Sequence, residues 1–266
     1  MATTTTAGSA QQWGPLWGAR PREWAASEEL QRPTYEEAIR RVGVSPGQRV
    51  LDVGCGAGVF LRMVADNGAV PFGLDASEAL VELARERVPG ADVRVGEMER
   101  LPYANDSFDL VTGFNSYFFA ADMVAALRES GRVAKRGAPV VIQVWGPPDH
   151  NDLEAMKRVA RPYAPPPPPG APKLPPLWRP GALEELAQEA GLTPGETFDI
   201  AYSFEYPDEE ALARLLTAPM GLAVLAGDRE PQLRRDIVDA LAPHRRPDGG
   251  YRLRTEFHCL VARASA

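Results

Sequence analysis

The chain has little of what disulfide-linked, metal-binding or nucleic-acid-binding proteins need. Its 266 residues include two cysteines and three histidines, and these show neither a disulfide framework nor a metal-ligand spacing. The net charge is −7 at pH 7, and no cluster of Lys or Arg is present. Because phosphate contacts dominate nucleic-acid binding, this balance argues against a nucleic-acid substrate. We therefore expect no bound metal and no nucleic-acid partner.

Long hydrophobic runs are also missing. No apolar stretch reaches the length that spans a bilayer, and residues 1–10 lack the charged and apolar regions of a signal peptide. We expect a cytoplasmic protein without membrane contact, as a monomer or homodimer. Hydrophobic residues make up 44% of the chain and charged residues 24%, which is ordinary for a globular protein that buries a substantial core.

The most informative stretch is residues 50–60, which read VLDVGCGAGVF. Strand-type residues that include Asp52 run directly into Gly54, Gly56 and Gly58, followed by a predicted helix. Glycine lacks the Cβ that would keep a ligand away from the main chain, and it tolerates a positive φ in a tight turn. The following helix presents free N–H groups. The stretch therefore predicts a cradle for a nucleoside that carries a carboxylate or a phosphate.

The glycine spacing distinguishes three kinds of nucleoside site. A dinucleotide fingerprint requires G-x-G-x-x-G, and Val59 stands where its third glycine belongs. A phosphate-binding P-loop needs Gly-Lys-Ser/Thr, which does not follow here. The pattern D-x-G-x-G-x-G resembles motif I of the class I S-adenosylmethionine-dependent methyltransferases. On the loop alone, a glycine-rich turn without a ligand is the alternative.

A second acid follows the loop at the distance expected for a ribose-binding carboxylate. Residues 70–74 form a predicted strand that ends in Asp75, and Ser77 is placed to cap a helix from Glu78 onward. Asp75 comes about 20 residues after the glycines, where such acids accept hydrogen bonds from both ribose hydroxyls. We assign Asp75 and the adjacent Ala76 to the cofactor site. A solvated helix cap is the alternative for Asp75.

A third motif extends the resemblance. Predicted strand 91–95 leads into Gly96, Glu97 and Met98, and residues 101–109 read LPYANDSFD. This stretch is similar to the family's G-D-A…L-P-F…D-x-S-F-D segment. The resemblance implies that Glu97 receives the adenine amino group and that the backbone N–H of Met98 faces the adenine ring. Glutamate is a departure from the family's aspartate, because its longer side chain reaches differently.

The next two predicted strands lead to the reacting end of the site. Strand 108–113 is followed by Phe114, Asn115 and Tyr117, and Trp145 ends the strand after it. Ligands of open α/β sheets lie beyond the carboxyl ends of the strands. We therefore assign Phe114 to the methionine part of the cofactor, and Asn115, Tyr117 and Trp145 to the substrate pocket.

These motifs imply an α/β fold of the doubly wound type. The resemblance implies a seven-stranded, mostly parallel sheet (the Rossmann-like methyltransferase fold) with an antiparallel last strand and a helical cap. The predicted organisation is a cofactor- and substrate-covering segment (1–34), an S-adenosylmethionine-binding core (35–146), a Pro-rich lid (147–180), a continuation of the core (181–206), a helical cap (207–247) and the final strand of the core (248–266).

Tryptophan is concentrated near the N-terminus, at Trp13, Trp17 and Trp24. A W-G-x-R stretch at residues 17–20 is similar to one in related methyltransferases, whose N-terminal segment folds over the cofactor. The resemblance places Trp17 and Arg20 in the cofactor site, where the guanidinium of Arg20 suits the methionine carboxylate. The alternative is that the tryptophans only dock a terminal helix on the core.

Proline dominates the stretch between the fifth strand and the next helix, with five in a row at residues 165–169. Neither a helix nor an interior strand can pass through such a run, and polyproline is extended and solvated. We interpret residues 147–180 as a lid or rim. An exposed ligand for a proline-binding domain is the alternative.

The expected reaction is methyl transfer from S-adenosylmethionine to an O, C or N atom of a small organic acceptor, such as a specialised metabolite. In-line displacement at a sulfonium methyl depends mainly on alignment and needs no metal. His150, just beyond the fifth strand, and Tyr117 are the candidate catalytic residues, His150 as a general base. A plain loop residue is the alternative for His150.

Two other functions are compatible with parts of the sequence. One is a cofactor-binding member of the same fold that catalyses a non-methyl reaction such as cyclisation, because such a protein keeps the same motifs. The other is a nucleotide-dependent oxidoreductase, which the glycine spacing disfavours.

Overall fold

A computed structural model of the chain describes residues 9–163 and 176–265. Short 3₁₀ turns join several of the regular elements. The helices are α1 (Ser9–Trp17), α2 (Pro21–Glu28), α3 (Arg32–Val42), α4 (Val59–Asp66), α5 (Glu78–Arg87), α6 (Met123–Val133), α7 (Leu153–Ala160), α8 (Ala182–Glu189), α9 (Glu209–Thr217), α10 (Leu222–Ala226) and α11 (Glu230–Leu241), and the strands are β1 (Arg49–Val53), β2 (Val70–Asp75), β3 (Asp92–Val95), β4 (Leu110–Phe114), β5 (Pro139–Trp145), β6 (Leu192–Thr193), β7 (Thr197–Tyr206) and β8 (Tyr251–Ala264). The polyproline run of the predicted lid, residues 165–169, lies outside the described residues.

The described strands form one eight-stranded sheet in the order β3-β2-β1-β4-β5-β8-β6, with β7 also paired to β8. Strands β1 to β5 run parallel, and β8 runs antiparallel to β5, β6 and β7. The predicted doubly wound, mostly parallel sheet with an antiparallel last strand is therefore confirmed. The sheet has one strand more than the seven expected, because β6 and β7 both pair with the long β8.

Helices cover both faces of the parallel part of the sheet. Tyr35 of α3 and Phe60 of α4 pack with Val50 and Phe114 on one face, while α6 and α8 pack on the other, where Leu127 is fully buried. Covering on both faces explains why β1 and β4 are buried almost throughout.

A second apolar cluster joins the predicted cap to the antiparallel part of the sheet. Leu233, Ile237 and Leu241 line the buried side of α11 and pack with Phe204 and Phe257 of β7 and β8. In the described part of the chain, no single helix is long and apolar enough to cross a membrane. Two helical segments, Glu209–Thr217 and Pro219–His244, reach the length and apolar composition of a membrane span only when they are taken together, and an 81° bend separates them.

The strand order reverses between β1 and β4, which are neighbours in the sheet although β2 and β3 intervene in sequence. Parallel strands end at the same edge, so the C-terminal residues of β1, β2, β4 and β5 meet there. This reversal is the point at which open α/β sheets bind their ligands, and it brings the sequence motifs to one edge of the sheet.

Candidate cofactor site

The glycine loop makes a tight turn between β1 and α4. Gly54, Gly56 and Gly58 all adopt positive φ, at 81°, 54° and 82°. The backbone N–H groups of Gly54 and Cys55 both donate to the Leu74 carbonyl, at 2.7 and 3.1 Å, which ties the loop to the end of β2. The sequence therefore folds here as predicted, with a backbone that few other residues could adopt.

Asp75 connects the loop to the second motif. Its Oδ2 accepts a hydrogen bond from the Gly56 N–H at 2.9 Å, and its Oδ1 accepts one from the Ser77 N–H at 2.8 Å. Burial raises the pKa of this carboxyl, while the backbone donors lower it. Ser77 caps α5 through Leu80 N, as expected. The predicted ribose acid is thus fixed directly against the central glycine.

Asp52 lies within the sheet rather than on the loop. It is 3% exposed, and its Oδ1 accepts a hydrogen bond from Thr112 Oγ1 of β4 at 2.7 Å. Burial raises its pKa to about 7, against that hydrogen bond. Asp52 therefore links β1 to β4 beneath the predicted site.

The third motif lies beside Asp75. The N–H of Gly96 donates to the Asp75 carbonyl at 3.0 Å, and Met98 packs on the edge of the main core. Glu97 is held by the start of α1, because its Oε2 accepts a hydrogen bond from the Ala10 N–H at 2.9 Å. The acid predicted for the adenine amino group thus meets an N–H donor of the N-terminal segment.

The N-terminal segment lies over these same residues. A Cβ on Gly14 would stand 2.4 Å from the Ala76 carbonyl oxygen, so α1 touches the turn after Asp75. The Trp17 ring packs edge-on against Trp24, with ring centroids 4.7 Å apart, and against Phe119. The tryptophans therefore dock the terminal helices, and a role of this segment in covering the cofactor stays a prediction.

Arg20 has partners other than the glycine loop. Its guanidinium pairs with Glu230 at the start of α11 at 2.5 Å and with Glu23 at 3.5 Å. The predicted pairing with a methionine carboxylate is not among these contacts, which instead join the N-terminal segment to the cap.

The residues predicted at the end of β4 for the cofactor and the substrate lie in different surroundings. Phe114 packs edge-on against Tyr35 in the core. Asn115 has φ 53°, and its Nδ2 donates to Gln31 Oε1 at 3.1 Å. Ser116, which the sequence analysis did not single out, donates from Oγ to the Val53 carbonyl at 2.6 Å and lies against Gly54. Of the residues that follow β4, Ser116 is therefore the one that contacts the glycine loop.

Tyr117 points into the protein. Its hydroxyl lies 2.9 Å from Ser130 Oγ of α6, and burial raises the pKa of the phenol. It is 2% exposed, so its catalytic and substrate-binding roles have no support from its position.

His150 lies near the end of β5 but pairs away from the glycine loop. Its Nδ1 is 2.9 Å from Glu256 Oε1 of β8, and its side chain is 45% exposed. The hydrogen bond with Glu256 raises the pKa of the imidazole. The base role of His150 stays a prediction.

Trp145, at the end of β5, packs against Phe257 with ring centroids 4.7 Å apart, in the apolar cluster shared with the cap.

Glu28 is a functional candidate that sequence reasoning missed. It ends α2 and is 3% exposed, and it accepts hydrogen bonds from the N–H groups of Ala57 at 2.8 Å and Val59 at 3.1 Å. Burial raises its pKa to about 8, against these hydrogen bonds. No spacing rule connects this acid to a loop 26 residues later, so only the fold reveals it.

The stability of the free protein should fall as the pH rises from about 5 to about 8. In this window Glu28 keeps its proton in the folded state, whereas in the unfolded chain, where its pKa is near 4.5, it loses it. The unfolded state then binds fewer protons, which lowers the free energy of unfolding by about 1.4 kcal/mol per pH unit for one such group. Asp52 acts in the same direction up to about pH 7.

Urea unfolding of wild type and Glu28→Gln over this pH range measures the effect. Glu28→Gln should flatten the decline. Glu29→Gln is the matched control, because hydrogen bonds with Arg32 and Arg87 outweigh burial and lower the pKa of Glu29. Equal slopes in wild type and Glu28→Gln would contradict the assignment.

The residues of the site fit a nucleoside cofactor with an amino-acid end. Trp24 Nε1 lies against Gly56, and this atom and Asn115 Oδ1 are buried polar atoms without a partner among the described residues. One is a donor for a carboxylate and the other an acceptor for an ammonium group. Among the described residues, no group of three or more His, Cys, Asp or Glu side chains could hold a metal ion.

Comparison with known proteins places this geometry among methyltransferases. A family model described as a methyltransferase domain matches residues 51–142, which include the glycine loop, Asp75 and Glu97. A demethylmenaquinone methyltransferase of Renibacterium salmoninarum is 36% identical over 177 residues, which cover 66% of this chain and 67% of the relative. Other curated methyltransferases are matched over 43% to 80% of their length.

Solved structures agree on the fold. The putative methyltransferase in complex with the Trm112 activator of Haloferax volcanii aligns over 98% of this chain and 100% of its own, with a TM-score of 0.62 and 22% identity. The [4+2]-cyclase SpnF aligns over 88% of this chain and 81% of its own, with a TM-score of 0.58 and 19% identity. At these identities the likeness concerns the fold alone.

Proposed function

Because this chain belongs to the class I S-adenosylmethionine-dependent methyltransferases, we propose that it transfers the methyl group of S-adenosylmethionine to a small organic acceptor without a metal ion. The observation that carries the proposal is the hydrogen bond between Gly56 N and Asp75 Oδ2. This hydrogen bond joins the glycine loop to the predicted ribose acid at the point where the strand order of the sheet reverses.

The residues of the site have distinct roles in this proposal. The backbone of Gly54, Gly56 and Gly58 receives the methionine end, and Asp75 accepts hydrogen bonds from the ribose hydroxyls. Glu97 faces the adenine amino group once the Ala10 N–H releases it. The cofactor supplies an electrophilic methyl group on a sulfonium, and the protein aligns the acceptor with the bond that breaks. Such alignment is worth roughly 7–11 kcal/mol of the barrier.

The apolar surroundings of the β5 end support a small acceptor. Trp145 packs there with Phe204 and Phe257, and Leu30 packs on the same cluster. Apolar and aromatic walls with few polar groups suit a small organic molecule. The Renibacterium relative is named for demethylmenaquinone, itself a small organic acceptor. We further propose that the enzyme works in the cytoplasm as a monomer or homodimer, without a nucleic-acid partner.

Calorimetry and product analysis test the proposal. Titration with S-adenosylhomocysteine should give saturable heat at micromolar concentrations, and candidate acceptors incubated with S-adenosylmethionine should yield S-adenosylhomocysteine in proportion to methylated product. If the cofactor analogue does not bind, the assignment of the site is wrong. If it binds but an acceptor is converted without S-adenosylhomocysteine, the reaction is of another type, such as cyclisation.

A further inference from the structure

The N-terminal helix α1 holds the acid that the proposed function assigns to the adenine amino group. The Ala10 N–H donates to Glu97 Oε2 at 2.9 Å, and Ser9 Oγ donates to the neighbouring Glu99 Oε2 at 3.3 Å. The first N–H groups of a helix have no partners within the helix, and the helix dipole favours a carboxylate beside them. Ala10 therefore offers Glu97 the same kind of donor that an adenine amino group would offer.

One face of α1 lies directly on the turn that follows Asp75. A Cβ on Gly14 would stand 2.4 Å from the Ala76 carbonyl oxygen, and a Cβ on Gly18 would stand 2.5 Å from Ser77 Oγ. Residues four apart lie on the same side of a helix, so the two glycines allow the backbone of α1 to reach this turn. Because Ala76 belongs to the predicted cofactor site, α1 occupies space beside the ribose acid as well as beside Glu97.

The two ends of α1 are held in different ways. At the C-terminal end, the Trp17 ring packs edge-on against Trp24 and Phe119. At the first turn, residues 9–12, the contacts with Glu97 and Glu99 are polar. Water can replace a polar contact at little cost, whereas separation of the aromatic rings would expose apolar surface. The first turn is therefore the end of α1 that can leave its position while the other end stays docked.

We propose that the first turn of α1 is an autoinhibitory strap, which competes with the adenine of S-adenosylmethionine for Glu97 and moves aside when the cofactor binds. This inference rests on the proposed function. A contact that exists only in the free protein opposes binding, because its free energy is lost when the ligand arrives. The adenine amino group takes the place of the Ala10 N–H at the carboxylate, so the exchange adds no net hydrogen bond.

The strap makes the affinity for the cofactor depend on how often α1 is displaced. Only molecules in which Glu97 is free accept adenine, so the apparent dissociation constant is the intrinsic constant divided by the fraction of such molecules. A change that favours the displaced state should therefore tighten the binding of every ligand that carries adenine, and by the same factor. S-adenosylmethionine, S-adenosylhomocysteine and adenosine should respond alike.

Ala10→Pro tests the proposal, because it removes the N–H donor at a place where proline fits the first turn of a helix. The dissociation constants for S-adenosylhomocysteine and for adenosine should both fall about tenfold, since a hydrogen bond to a charged group is lost from the free protein only. Ala10→Gly keeps the N–H and is the matched control, which should bind both ligands as wild type does. Unchanged or weaker binding by Ala10→Pro would overturn the proposal.

Gly14→Ala is a second variant, which remains informative if Ala10→Pro does not fold. Its new Cβ has no room against the Ala76 carbonyl oxygen, so it should push α1 off the turn, while alanine itself favours a helix. Adenosine should bind more tightly to Gly14→Ala than to wild type. If α1 only supported the site, this variant would bind adenosine equally well or more weakly, and either result would contradict the strap.

Hydrogen–deuterium exchange of wild type needs no substitution. A peptide that covers residues 9–17 should exchange faster when S-adenosylhomocysteine is bound, because the Ala10 N–H loses its acceptor. Equal or slower exchange would show that α1 stays in place or closes over the ligand, and the inference would then be wrong. Failure of both wild type and Ala10→Pro to bind S-adenosylhomocysteine would instead overturn the proposed function.

Discussion

Replacement of Gly56 by valine is expected to lower the affinity for S-adenosylmethionine by about a hundredfold, which corresponds to about 2.7 kcal/mol. Gly56 has φ 54°, a conformation that a β-branched residue rarely adopts. The new side chain would also meet Trp24 Nε1 and the Glu28 carboxylate, and it would disturb the hydrogen bonds by which Glu28 holds the loop. Calorimetric titration with the cofactor measures the loss.

Gly47→Val is the matched control for this change. Gly47 has φ 79°, and a Cβ there would meet nothing within 4 Å. The backbone strain is therefore comparable, whereas the steric effect on the site is absent. Gly47→Val should lose stability and keep the wild-type affinity. If Gly56→Val bound the cofactor as tightly as Gly47→Val, the loop would not be the cradle.

The sequence predicted the parts of the fold that local patterns determine. The strand before Gly54, the acid that ends β2 and the cap at Ser77 follow from short-range chemistry: glycine at a positive φ, a carboxylate that accepts backbone N–H groups, and a serine at the first turn of a helix. The hydrogen bond from Gly56 to Asp75 joins two such patterns. The sequence spacing of the two patterns was sufficient to predict that they meet, because the strand–helix–strand unit between them permits few other arrangements.

Contacts between distant segments could not be predicted in this way. Residues 197–206 form a long edge strand because β8 extends far enough to pair with all ten of them, and that length is not apparent from residues 197–206 themselves. Arg20 was expected at the cofactor but pairs with Glu230, 210 residues later. Glu28 reaches the loop from the end of α2. Each of these depends on where the N-terminal segment and the cap pack, which no local pattern specifies.

Replacement of Asp75 by asparagine is expected to weaken S-adenosylmethionine binding at least tenfold. Both carboxylate oxygens accept backbone N–H groups, so one of them would be replaced by an amide NH₂ that faces another donor. The negative charge offered to the ribose hydroxyls would also be lost, and a charge-assisted hydrogen bond contributes about 1.5–3 kcal/mol. Titration with S-adenosylmethionine and with adenosine measures the two effects together.

The adenosine titration isolates the contact between Asp75 and the ribose. Adenosine carries the ribose but neither the sulfur nor the amino acid, so Asp75→Asn should weaken it as strongly as it weakens the whole cofactor. Asp92→Asn, one strand away in β3 and paired with Arg94 at the surface, should affect neither ligand. Unchanged adenosine affinity in Asp75→Asn would contradict the assignment of Asp75 to the ribose hydroxyls.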